Sequence, residues 1–135
     1  MVLRQRDLVV NAEIAGKPDL DGILEVRTNA ELRLRCNGIR VLGAVKGGRT
    51  AGRPWLYLNI QVIKIEQIAT YVFSFQLKLF QSVALERDST LSMTAPTWQE
   101  STLGAVGWNT AASYVRESIG RMVDVFCNRY LAVNQ

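Results

Sequence analysis

Acid–base and metal chemistry near neutral pH most often begins with histidine, and this chain has none. That removes histidine triads and histidine-held metals. Zinc would then need cysteines and carboxylates, and Cys36 and Cys127 lie far apart in the sequence. The glycine-rich run GAVKGGRTAG (43–52) matches neither a P-loop nor a strand-to-helix dinucleotide fingerprint. It reads as a flexible hairpin loop rather than a phosphate cradle. Carboxylates remain at Glu86-Arg87-Asp88, and Glu100 lies near Trp98. A charged cluster at a turn is ordinarily solvated. Asp124 with Arg121 and Arg129 reads as a polar helix face. No catalytic residue, metal or cofactor is expected, and the chain reads as a non-enzyme.

Two other residue classes point to binding. The 16 basic and 12 acidic residues leave a net charge of +4, and the excess falls in residues 1–53. Arg27, Arg33, Arg35, Arg40, Arg49 and Arg53 are the candidate anion or nucleic-acid contacts. No nucleic-acid motif accompanies them, so nucleic acid is the weaker expectation. The aromatics Trp55, Tyr57, Phe73, Phe75, Trp98 and Trp108 are the candidate ligand or partner surface. Core packing under helices explains Phe73 and Phe75 well. Trp55 and Tyr57 fall on the opposite face of their strand from Leu56, Leu58 and Ile60, which leaves them for solvent or a partner.

The elements that must position these residues follow from periodicity. Residues 7–14, DLVVNAEI, read as an edge strand. After Gly16-Lys17-Pro18, Asp19 suits a helix N-cap, and Leu20, Ile23, Leu24, Ala30 and Leu34 recur near helical spacing to residue 36. The piece ELRLRC (31–36) also alternates like a strand, so its state stays open. Asn37-Gly38 suits a left-handed helix end. Residues 39–46 form a second strand, and 47–54 a loop closed by Pro54. Residues 55–65 and 70–80 alternate strictly and predict an antiparallel pair. A further strand covers about 90–98 after a polar turn at 86–89, with Pro96 placing its end at a sheet edge or bulge. Gly104 and Gly107 punctuate the approach to the last helix. From Trp108, apolar residues at 111, 112, 115, 119, 122, 123, 126 and 130 make a sustained helical stripe. The order is β-α-β-β-β-β-α. It predicts an α+β, two-layer domain with a mostly antiparallel sheet of about five strands and both helices on one face.

At 135 residues the chain is one domain, long enough for a core without staples. Both thiols are expected to be buried or half-buried. No apolar run spans a membrane and none resembles a signal-peptide core, so the chain as given is expected to be soluble and cytoplasmic. A removed leader replaced by Met1 would make it periplasmic instead.

Several phrases belong together: LRCNGIRVL (34–42), RPWLYLNI (53–60), QSVALERD (81–88), TAPTWQ (94–99), LGAVG (103–107) and DVFCNRYLAVNQ (124–135). Together they resemble an uncharacterised bacterial domain with a V-x-L-x-R strand, a TW dipeptide, a glycine step and a terminal helix ending LAxN. The resemblance covers most of the chain and implies no activity or catalytic residue. It implies export for many members. The topology is similar to the N-terminal part of TolB-type periplasmic proteins. In this pattern Trp98 and the glycine step plug the corner where the chain turns onto the last helix.

The leading expectation is a binding or assembly module. It would form a homodimer or attach to another protein, through the sheet face at Trp55 and Tyr57 or through an edge strand. The alternatives are a small-molecule binder with a pocket lined by Phe73, Phe75, Trp98 and Trp108, and a nucleic-acid binder using the arginines.

Overall fold

The computed structural model describes residues 7–16, 25–42 and 54–133. Within them lie β1 (Asp7–Ala15), α1 (Val26–Cys36), β2 (Arg40–Leu42), β3 (Trp55–Ile65), β4 (Thr70–Leu85), β5 (Asp88–Gly107) and α2 (Ala111–Val133). Short 3-10 turns, Glu66–Ile68 and Trp108–Thr110, precede β4 and α2. The element order is the predicted one. The Asp19 cap, Leu20, Ile23 and Leu24, and the glycine-rich loop lie outside the described residues.

The five described strands form one sheet in the order β2-β1-β3-β4-β5. β3, β4 and β5 are antiparallel neighbours, and β1 runs parallel to both β2 and β3. The sheet is therefore mixed, with its antiparallel half the larger. The expectation that residues 7–14 form an edge strand is corrected: β1 lies inside the sheet. Leu8, Val9 and Val10 are all buried, and burial of consecutive residues marks a strand covered on both faces.

Residues 31–36, open between helix and strand in the sequence, are helical. Val26, Ala30 and Leu34 fall four apart and give α1 one buried stripe. Its end is a Schellman motif. Gly38 has φ +84°, the Ile39 N–H donates to the Leu34 carbonyl at 3.0 Å, and the Gly38 N–H donates to the Arg35 carbonyl at 3.0 Å. Leu34 and Ile39 are both buried beside this turn, which brings the chain into β2.

The core lies between the helices and one sheet face. Leu56, Leu58, Ile60 and Val62 of β3 and Phe73, Phe75, Leu77 and Leu79 of β4 point toward Val115, Ile119, Val123 and Phe126 of α2. Both helices contribute to this single cluster, so both cover the same face. β5 is longer than the predicted 90–98 and runs on through Gly104 and Gly107. Pro96 sits at a bulge in this edge strand rather than at its end: Trp98 pairs with Leu79 and Pro96 with Phe80, leaving Thr97 extra. No described helix is long and apolar enough to cross a membrane.

Candidate functional site

The sheet face away from the helices is where the sequence placed Trp55 and Tyr57, and both do point there. Each is half-buried. Trp55 stacks on Phe80 with ring centroids 4.3 Å apart. The Tyr57 hydroxyl donates to Glu13 Oε2 at 2.9 Å and accepts from Asn59 Nδ2 at 3.0 Å. Gln61 Nε2 then donates to Asn59 Oδ1 at 2.9 Å, so a polar ladder runs along β3. Burial, with the hydrogen bond to Glu13, pushes the Tyr57 phenol up. This end of the face is internally satisfied.

The apolar surface lies at the other end of the same face. Ile63 pairs with Val72 and Val72 with Ala105, while Leu103 pairs with Ser74. Ile63 is 63% exposed and Leu103 74%. Both side chains are on the face away from the helices, where exposed apolar surface marks an interaction site.

A second exposed feature is an arm. β3 ends its pairing at Trp55 opposite Phe80, but β4 and β5 continue past it through Gln81–Leu85 and Asp88–Ala95, closed by a turn at Glu86-Arg87. Beyond the sheet they form a two-stranded ribbon carrying Leu91 (52% exposed) and Met93 (57%).

The assignment of Phe73 and Phe75 to a ligand or partner surface is corrected. Both are 0% exposed, packed against each other at 5.7 Å and against Tyr114 at 5.8 and 6.2 Å. The expected pocket shared by Phe73, Phe75, Trp98 and Trp108 is not formed. Trp98 sits level with Leu79, whereas Trp108 follows the residue paired with Thr70. Nine strand residues separate them, about 30 Å. Trp108 instead lies against Tyr71 and under the Lys64 ammonium, 4.6 Å from its ring. Trp98 meets Phe126 edge-on at 5.2 Å and borders a cleft of about 330 Å³ with Leu79, Gln81, Thr97, Arg129 and Tyr130. Its role at the turn onto the last helix is also corrected, because nine more residues of β5 follow it.

The arginines do not converge. Arg27 and Arg35 both pair with Glu31, at 3.1 and 3.8 Å. Arg33 reaches across to Asp124 of α2, with Nε 2.7 Å from Oδ1 and a second contact from its terminal nitrogen to Oδ2. Arg40 lies on β2 at the other sheet edge, and Arg49 and Arg53 lie outside the described residues. The reading of Asp124 as a plain polar face is corrected: it joins the two helices, and Asn37 donates to it as well, at 3.1 Å. Nothing local in the sequence announces a pair 91 residues apart.

The hydrogen bonds from Arg33 hold the Asp124 carboxyl below its ordinary range despite some desolvation. A folded-state value below the unfolded one stabilises the fold above about pH 4, and that contribution fades as pH falls through the lowered value. The pair is about half exposed, so solvent screens it. Asp124→Asn is expected to cost no more than ~1 kcal/mol at neutral pH. It should cost less still in acid, as chemical denaturation at neutral and acidic pH will show.

The expectation of two buried thiols holds for Cys127 and is corrected for Cys36. Cys36 is on the outward side of α1, whose buried stripe ends at Leu34. Burial pushes the Cys127 thiol up to about 12. An alkylating reagent should therefore label Cys36 alone in the native protein and both thiols after denaturation. Mass spectrometry of the labelled chain checks this, and prompt native labelling of Cys127 would contradict it. No group of three metal-ligating side chains occurs among the described residues.

Fold and surface together define a two-layer α+β domain with a mixed sheet and both helices on one of its faces. Among solved structures, the PelC dodecamer from Paraburkholderia phytofirmans is similar in two crystal forms. One, of a point variant, has a TM-score of 0.57 at 16% identity, covering 87% of this chain and 84% of that one. The other has a TM-score of 0.56 at 16% identity, covering 90% and 89%. An uncharacterised protein gives a TM-score of 0.51 at 10% identity, covering 95% and 94%. These identities show a shared fold. No family model matches the chain, and no curated protein matches it in sequence.

Proposed function

We propose that this chain is a non-enzymatic assembly module that associates with copies of itself through the sheet face its helices leave uncovered or through the open edge of the sheet. The observation that carries this is the placement of Ile63, Leu91, Met93 and Leu103. All are on strands, and each is more than half exposed. Ile63 and Leu103 lie on the sheet face away from the helices and Leu91 and Met93 on the arm, and exposed apolar surface at either place is stabilised by association. The PelC structures of the same fold are dodecamers, which supports self-association as a use of this architecture.

A small-molecule site is the second reading, favoured by the cleft that Trp98, Arg129 and Tyr130 line together. Native mass spectrometry over a wide concentration range separates the two. Assembly predicts integer multiples of the chain mass that grow with concentration. A bare monomer throughout would overturn the assembly reading, and a monomer carrying one discrete extra mass would replace it with the second.

A further inference from the structure

We infer that two copies pair antiparallel along the outer edges of their β5 strands, about a two-fold axis beside Pro96 and Thr97, with each arm lying along the other copy's α2. The inference rests on the self-assembly reading and specifies its interface.

Three surfaces that a single copy leaves open fit one another in this arrangement. The first is the edge itself. Among the described residues no strand pairs with the outer side of β5, which is 20 residues long. A long bare edge is a template for another strand. With residue 96 opposite 97 of the second copy, pairing engages about 18 residues a side, from Asp88 to Ala105, just under the roughly 20 to 30 of a standard interface.

The second is the arm, a two-stranded ribbon with exposed Leu91 and Met93. Such a ribbon is marginal in water unless another layer covers its apolar face. The third is the flank of α2 above β5. There Glu100, Thr102, Ser118, Arg121, Met122 and Val125 border a hollow of about 180 Å³. Val125 is 49% exposed, and the Ser118 hydroxyl is buried without a hydrogen-bond partner.

The bulge makes these surfaces self-complementary. Residues directly opposite in an antiparallel pair must share a sheet face. Met93 pairs with Val83 and Trp98 with Leu79, so the extra residue Thr97 puts Met93 and Ala95 before it, and even positions after it, on the helix side. Setting residue 96 opposite 97 of the second copy then sets 93 opposite 100 and 91 opposite 102. Met93 of one copy meets the hollow of the other beside Glu100, on the correct face.

The test is disulfide trapping in the full chain on a Cys36→Ser background, with sedimentation of the wild type alongside. Thr97→Cys lies beside the axis, so its two copies come within disulfide reach and oxidation should yield a covalent dimer. Arg87→Cys at the arm tip is the control. Its two copies would be about 60 Å apart and should not link. Met93→Glu, at an exposed position, should weaken association at least about tenfold with unchanged circular dichroism. If the wild type associates but Thr97→Cys does not link, or Arg87→Cys does, or Met93→Glu associates like the wild type, this interface is wrong and the assembly reading stands. If the wild type is monomeric at every concentration, both fall.

Discussion

Phe73→Ala is expected to lower the unfolding free energy by about 3–5 kcal/mol. Phe73 is fully buried at the centre of an aromatic cluster, with Tyr71, Phe75 and Tyr114 all within 6 Å of its ring. Removing the ring forfeits its transfer free energy and leaves a cavity. The neighbours cannot collapse into it, because the two strands and α2 that carry them are fixed by the sheet ladder and by helix packing. A domain of this size has about 5–15 kcal/mol in total, so the variant should unfold at much lower urea concentration with an unchanged denaturant slope. A loss under about 1 kcal/mol would mean that Phe73 is not in the core. It would also revive the ligand surface that its burial removes.

The second large effect is expected at Gly104. This glycine lies on the helix side of β5 opposite Phe73, and a Cβ there would fall 1.5 Å from the Tyr114 hydroxyl and 2.8 Å from the ring carbon that bears it. The Tyr114 ring is seated against Phe73 and Phe75, so it cannot swing aside without disturbing them. Gly104→Val should therefore destabilise by about 1–3 kcal/mol, although valine has the better strand propensity. The double variant Gly104→Val with Tyr114→Ala should lose less than the sum of the single variants, because the clash is removed with the ring. Strict additivity would contradict the contact. The glycine serves close packing within a strand rather than a turn into the helix.

Some of this was legible from residues alone. The strict alternation of Trp55–Ile65 and of Thr70–Phe80 placed β3 and β4 and assigned their two faces correctly. The stripe from Ala111 to Tyr130 placed α2, and Asn37-Gly38 placed the end of α1. β1 was misplaced because a short β-branched run looks the same at an edge as inside a sheet, unless the burial of Leu8, Val9 and Val10 in succession is recognised as two-sided. β5 was cut short for a different reason. Its helix-side positions after the bulge are Trp98, Glu100, Thr102, Gly104 and Val106, so an apolar alternation is missing where α2 covers the strand only partly. The candidate surface moved by the same logic. Trp55 and Tyr57 face outward as expected, but Phe80 and Glu13 occupy them, and the exposed large apolar residues of the strands are the less conspicuous Ile63, Leu91, Met93 and Leu103. Residue type alone does not reveal which aromatic has a neighbour already in contact. The Arg33–Asp124 link was invisible because it depends on how two distant helices pack.

Sedimentation velocity of the full chain over a wide concentration range decides whether it self-assembles. Self-assembly gives species heavier than the 15.1 kDa chain whose share rises with concentration. A single 15.1 kDa species at every concentration would contradict it.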